Sequence, residues 1–200
     1  CPRLGLAAAV ARIGADGVPF TPAQAVSLDE ALTAYTSGAA RLAGGLLGLA
    51  GSFSPPALRG IAWGFDGTAL VMGALLLALH HIKHGNDQLA TGFLTFVAGQ
   101  TLVVSSSAMD LAASSPSFGA GVGLWAAGLA LVSASSAMPI FVRATGFIAS
   151  VLFAIVAIQI FSGTALTPLS SPLPFNAYPF LVLTLFGWAW VHYQRARVAA

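Results

Sequence analysis

Long apolar runs broken by short polar turns fill the chain from residue 42 onward. A helix needs roughly 20 mostly apolar residues to cross a bilayer, and helices satisfy their own backbone hydrogen bonds in hydrocarbon. A weaker candidate at 36–54 is interrupted by Arg41 and ended early by Pro55 and Pro56. The pattern therefore predicts an all-α, polytopic membrane helix bundle. Its five clear spans are residues 58–82, 89–112, 118–138, 140–162 and 175–193.

The first 41 residues have a composition more typical of a soluble protein. They hold three of the eight basic and three of the six acidic residues of the chain. Ser27 and Glu30 form a capping-box pattern, which predicts a helix from about Leu28 to Gly44. We expect two domains, a soluble-type segment at 1–41 and a transmembrane helix bundle at 42–200. Because the chain opens on Cys1 without a signal-peptide pattern, we expect it to be a fragment of a longer protein.

The composition of the whole chain agrees with a bilayer as its main partner. Hydrophobic residues make up 57% of the chain and charged residues only 7%, against about 25% charged in ordinary soluble domains. The 22 glycines suit helices that pack closely in lipid. A net charge of +2, with its basic residues spread thinly, offers no patch for a run of phosphates, so nucleic acid is not an expected partner.

The distribution of basic residues predicts the orientation, because cytoplasmic loops carry an excess of Lys and Arg. Lys83 follows the first clear span, Arg143 lies just after the third, and Arg195 follows the last. The connections at 114–117 and 162–174 carry no basic residue. We therefore expect a multi-pass protein of a bacterial inner membrane, with the 83 and 143 loops and the C-terminus in the cytoplasm. Five or six spans remain open, since a sixth would bring the N-terminal basic residues to that side as well.

The stretch HHIKHGND crowds ionisable side chains in the middle of the chain. His80 and His84 share a helix face and Asp87 adds a carboxylate, which is a pattern of metal ligands. Gly85 and Asn86 should end the helix within a turn, and no Cys accompanies the histidines nearby. A hydrated loop explains the stretch with no further assumption, so we predict no metal and no other cofactor.

The same stretch continues into a longer motif. It consists of a basic residue at the end of one helix, a tight turn, and a small and an aromatic residue in the next helix. Its residues are Lys83, Gly85, Asn86, Thr91 and Phe93. Together with FGAGVGLW at 118–125 and VLFAIVAI at 151–158, the motif resembles the acetate uptake transporter family of the YaaH/SatP type, over about residues 54–193. The resemblance implies six-helix subunits that assemble as homo-oligomers and carry small monocarboxylates such as acetate.

The resemblance also implies a substrate path. Phe96 lies where the family has a tyrosine at its narrow point, Phe118 where it has a phenylalanine, and Ala149 near an aliphatic position. A ring of apolar side chains can gate a pore by excluding water. Independently, Asp66 and Gln100 are polar residues inside predicted spans, and a charge there costs at least about 2.5 kcal/mol. We expect these five residues to lie along the path. Two roles stay open for Asp66, either the acceptor of a coupled proton or a structural pair with Arg59, two turns away.

A second resemblance concerns residues 2–44. The segments PRLGLAAAVAR and SLDEALTAYTSGAARLAG resemble the C-terminal part of YtcJ-like metal-dependent amidohydrolases. The metal ligands of that family lie upstream of this segment, and no HxH pair occurs in this chain. The resemblance implies a hydrolase tail without an active site, so we predict no enzyme activity.

Three functional hypotheses remain open. The first is a channel or secondary carrier for a small monocarboxylate. The second is a membrane scaffold or sensor without transport. The third is a catalytically incomplete C-terminal piece of an amidohydrolase, fused to a membrane region.

Overall fold

A computed structural model describes residues 46–107, 110 and 113–199. This part of the chain contains six α-helices and no strand, which confirms the predicted all-α class there. The helices are α1 (Leu46–Ser52), α2 (Pro56–Lys83), α3 (Asp87–Ser107), α4 (Ser115–Ala134), α5 (Ile140–Phe161) and α6 (Tyr178–Ala199), with a short 3₁₀ turn at Phe175–Ala177. Several predicted features lie outside the described residues. They are the capped helix at 28–44, both amidohydrolase-like segments and most of the weaker span at 36–54.

Four helices, α2 to α5, are long and apolar enough to cross a membrane. They correspond to the first four predicted spans, although α3 ends at Ser107 and α4 at Ala134, a few residues earlier than expected. In α4 the reason is Ser135, whose extended backbone stops the helix. The fifth predicted span does form a helix, α6, but its last turns carry His192 and Arg195, which lower its hydropathy. Five clear spans are therefore not confirmed.

Helices that are neighbours in sequence pack against each other. α3 lies between α2 and α4, α4 lies between α3 and α5, and α1 packs on α2. α6 packs on α5 and reaches α3 through Trp188, whose ring meets those of Phe93 and Phe96 edge-on at centroid distances of 4.9 and 5.5 Å. These contacts place fully buried aromatic rings at the centre of the bundle.

Glycines bring the backbones of α3 and α4 into direct contact. Gly92 and Gly99 on α3 face Gly128 and Gly121 on α4. A Cβ at Gly99 would lie 2.6 Å from the carbonyl oxygen of Gly121, and one at Gly128 would lie 2.8 Å from the carbonyl oxygen of Gly92. Small residues allow this close approach in membrane helix pairs, where apolar burial alone gives no drive to associate.

Large apolar side chains cover the outside of the bundle. Ile140 is 76% exposed, and many others of its kind are also exposed, including Phe65, Phe147, Val151, Ile158, Phe161 and Leu183. Soluble monomers rarely expose contiguous apolar patches beyond a few hundred Å². This exterior suits a lipid environment.

Candidate functional site

A cavity of about 80 Å³ lies inside the bundle, where α1, α2, α3, α4 and the start of α6 meet. Its lining includes Trp63 and Asp66 of α2, Gln100 of α3, Trp125 of α4 and Tyr178 of α6. A cavity needs only about 10–15 Å³ to hold a water molecule. The cavity therefore has room for several waters or for one small solute.

Asp66 is held in this cavity by the packing of α1 on α2. It lies about 15 Å along α2 from Pro56, at 1.5 Å per residue, and is 7% exposed. The indole N–H of Trp63 donates to the carbonyl oxygen of Gly48 at 3.0 Å, which fastens α1 one turn before Asp66. Gly48 leaves room for the carboxyl group, because a Cβ at that position would lie 2.7 Å from Oδ2 of Asp66 and would displace it. A carboxylate buried this deeply in an apolar helix is costly and marks a functional candidate.

Gln100 and Trp125 add two further polar atoms beside the cavity. Each residue is only 4% exposed. Oε1 of Gln100 and Nε1 of Trp125 are buried and make no hydrogen bond within the described part of the chain. Leaving such an atom unpaired costs about 1–3 kcal/mol. A water or polar solute that reaches either atom would therefore be stabilised here.

Two of the five predicted path residues, Asp66 and Gln100, line the cavity together. Phe96 lies behind the cavity wall, where its ring stacks on that of Trp125 with a centroid distance of 5.8 Å and an interplanar angle of 14°. Phe118 and Ala149 are fully buried in the core and do not line the cavity. The two polar residues of the predicted path therefore lie together at the cavity, whereas its three apolar residues are packed in the core.

Three aromatic residues of the lining, Trp63, Trp125 and Tyr178, were not predicted from the sequence. An aromatic residue in an apolar run is usually a core or lipid-facing residue, so its spacing carries no signal for a cavity. Only an unusual residue type, such as Asp66, stands out from such a run.

The predicted turn motif forms the connection between α2 and α3. Gly85 has a φ of +67°, in the left-handed region that favours glycine. The backbone N–H of Asn86 donates to the carbonyl oxygen of His81 at 2.9 Å, which closes the end of α2. Lys83 and Thr91 are exposed. The geometry of these residues is that of a helix-ending turn.

The four histidines of the chain meet at this end of the bundle. The rings of His80 and His84 have a centroid distance of 4.2 Å, and Nε2 of His81 lies 3.0 Å from Nε2 of His192 on α6. The predicted hydrated loop describes exposed His84 but is wrong for His81, which is 1% exposed. The reason is that the face of α2 bearing His81 packs against α6 and against the ring of Phe93, at a centroid distance of 5.6 Å.

No three His, Cys, Asp or Glu side chains among the described residues are placed to hold a metal ion together. His80 and His84 are close, but the ring nitrogen Nδ1 of His84 is directed at the carbonyl oxygen of His80, 2.8 Å away. Asp87, the third candidate ligand, is the first residue of α3 and is exposed.

The same end of the bundle carries Lys83, Arg143 and Arg195, whereas Arg59 lies near the start of α2, at the other end. Arg143 donates from Nε to the carbonyl oxygen of Ser133 at 2.9 Å, and the guanidinium of Arg195 donates to the carbonyl oxygen of Ala137. Arg143 thus contacts the end of α4 and Arg195 the α4–α5 connection, and Gln88 at the start of α3 also donates to the end of α4. The loops predicted to lie on one side of a membrane therefore lie at one end of the bundle.

These features are compatible with an integral membrane protein that has a small, mainly apolar cavity with a few polar groups in its lining. No family model, no curated protein and no solved structure matches this chain. The two family resemblances based on short motifs therefore stay predictions.

Proposed function

We propose that this chain is an integral membrane protein that binds a small polar solute in the Asp66 cavity and passes it across the bilayer, as a channel or a secondary carrier. The observation that supports this most is the buried carboxylate of Asp66. It belongs to an apolar helix and lies beside a cavity with room for several waters. Ionisable residues at such depth are rare, and they commonly mark solute or proton pathways.

The lining restricts the chemistry of the solute. The described lining contains the acidic Asp66 and no Lys or Arg, and an ionised Asp66 would repel a bound anion. Trp125 offers an N–H donor and Gln100 a carbonyl acceptor. A small neutral molecule with one acceptor and one donor matches these groups. The monocarboxylate implied by the family resemblance would then bind as its undissociated acid.

Uptake into liposomes tests this proposal. The purified full chain is reconstituted, and the entry of labelled acetate is measured at several pH values beside protein-free vesicles. At each pH we expect faster entry with protein than without it, and we expect this difference between the two rates to grow as the pH is lowered and the neutral acid becomes abundant. Asp66→Asn and Trp125→Phe should slow it, because the first removes the ionisable carboxyl group of the cavity and the second removes the indole N–H donor. Asp87→Asn is the matched control, since Asp87 is exposed and does not line the cavity.

A non-transporting scaffold or sensor is the second candidate. The observation that favours it is the complete burial of Phe96, Phe118 and Ala149 in the core, outside the lining of the Asp66 cavity. If neither acetate nor a neutral analogue such as acetamide enters faster with protein than without it, the transport proposal is wrong and this second candidate replaces it. The hydrolase-fusion hypothesis concerns residues 2–44, and a reading frame with an HxH pair upstream of Cys1 would support it.

The orientation is also a proposal. The end of the bundle with Lys83, Arg143 and Arg195 should face the cytoplasm, because basic loops are retained there. Replacing Cys1 by Ser and placing single cysteines at Ser136 or Ser162, which are exposed in the connections on either side of α5, allows labelling of intact cells with a membrane-impermeant maleimide. We expect labelling at position 162 only. Labelling at position 136 alone would show the opposite orientation to the one we propose.

A further inference from the structure

The histidine pair between α2 and α6 is not part of the Asp66 cavity. Nε2 of His81 and Nε2 of His192 lie 3.0 Å apart. Nδ1 of His192 lies 2.7 Å from the carbonyl oxygen of Trp188, one turn earlier on α6. In a neutral imidazole one nitrogen donates and the other accepts, and the partners decide which is which.

The hydrogen bonds of this pair assign both tautomers. The Trp188 carbonyl can only accept, so Nδ1 of His192 carries the hydrogen. Neutral His192 then has its lone pair on Nε2, and His81 must donate to it from Nε2. Neutral His81 is left with a lone pair on Nδ1, which is buried and makes no hydrogen bond to any described residue. Only Nδ1 of His81 can accept a proton without breaking one of the two bonds.

We propose that His81 and His192 form a single-proton relay between α2 and α6, with Nδ1 of His81 as the entry atom. A proton from hydronium binds this nitrogen. The proton on Nε2 of His81 then passes along the hydrogen bond to Nε2 of His192. His81 is neutral again, with its hydrogen on Nδ1, and His192 is an imidazolium. One proton has entered and one positive charge has moved from α2 to α6, with no other bond changed.

The pair accepts one proton and not two. A second proton would place two N–H groups face to face across the 3.0 Å between the Nε2 atoms. The charged and titratable groups near the pair are His80 and His84 of α2 and Arg195 of α6. From α3 the contact is the ring of Phe93, which lies parallel to the His81 ring within 3°. This stacking holds the His81 ring in the orientation that the relay requires.

Ring nitrogen chemical shifts measure the predicted states directly. The full chain, labelled with ¹⁵N in its histidine rings and held in lipid bilayers, is examined by NMR as the pH is lowered. His80→Gln and His84→Gln assign the remaining signals. Near neutral pH we expect opposite tautomers, with the bare nitrogen at δ1 in His81 and at ε2 in His192. On acidification we expect one proton to be taken up by the pair. The same tautomer in both residues, or two imidazolium rings in a bundle that stays packed, would overturn the relay.

His81→Gln separates proton binding from helix packing. The amide of Gln can keep an N–H donor near the position of Nε2, but it has no basic nitrogen. We expect the variant to keep the His192 tautomer and to lose the one-proton uptake. Uptake of that proton as in the unchanged chain would contradict the proposal. If the variant does not fold, as judged by circular dichroism, the tautomers measured in the unchanged chain still test the relay. The result does not depend on solute transport, so the relay and the proposed function can fail separately.

Discussion

The contact between α3 and α4 makes Gly128→Ala a demanding test of the packing. The added Cβ would lie 2.7 Å from the backbone nitrogen of Phe96, 2.8 Å from the carbonyl oxygen of Gly92 and 3.0 Å from Cα of Phe96. All three atoms belong to the backbone of α3, so no side-chain rotation can relieve the contact. α3 as a whole would have to move away.

The size of the effect follows from these distances. Ordinary van der Waals contact for a Cβ begins near 3.4 Å, so the two helices would separate locally by about 0.7 Å. Overpacking of this kind costs about 1–3 kcal/mol. The measured loss of unfolding free energy would be smaller than this steric cost, because Ala favours a helix over Gly by about 1 kcal/mol. Gly123→Ala on the same helix has the same propensity gain, and its Cβ would lie 3.5 Å from Cβ of Ala157, an ordinary contact.

The free energy of unfolding of both variants is measured by circular dichroism in mixed micelles with an increasing fraction of denaturing detergent. We expect Gly128→Ala to be less stable than Gly123→Ala by about 1–3 kcal/mol, since the difference isolates the steric cost. Equal stability of the two variants would show that α3 and α4 do not meet at Gly128, and the proposed backbone contact would be wrong.

Three further substitutions test individual contacts by the same measurement. Ser150→Ala removes the hydroxyl that donates to the carbonyl oxygen of Ala126 at 2.7 Å, and should cost about 0.6 kcal/mol, the average for such bonds between membrane helices; no loss beyond that of exposed Ser136→Ala would contradict the bond. Gly85→Ala should cost about 1–2 kcal/mol, because an L-residue is strained at a φ of +67°; a neutral effect would refute the left-handed turn. Trp63→Phe removes the donor to Gly48 and should cost about 0.5–1.5 kcal/mol; an unchanged free energy would mean that this bond does not fasten α1.

The helices could be predicted because the signals that set them are local. Pro56 begins α2 at a position where proline is well tolerated, since the missing N–H has no helical partner there. Gly85 ends the same helix with a positive φ. α5 begins directly after Pro139 and ends before Gly163, whose φ is +96°. Each boundary is set by a residue within a turn of it, so apolar runs and punctuating residues predict most of the architecture.

The cavity and the histidine pair could not be predicted to the same extent, because both depend on which helix faces meet. Asp66 and Gln100 stand out in apolar runs, but nothing in the spacing links them to Tyr178. His81 and His192 are 111 residues apart. The sequence alone shows His81 beside other polar residues, where a solvated loop is the simpler interpretation. Its burial depends on contacts with His192 of α6 and Phe93 of α3.

The central claim is that the apolar helices α2 to α5 lie in a bilayer, and its most direct test is membrane extraction of the expressed chain. Membranes are washed with alkaline carbonate, which strips peripheral proteins, and are then treated with a mild detergent. We expect the chain to stay in the membrane pellet through the wash and to be released only by detergent. Recovery of a monodisperse protein in buffer without detergent would contradict it.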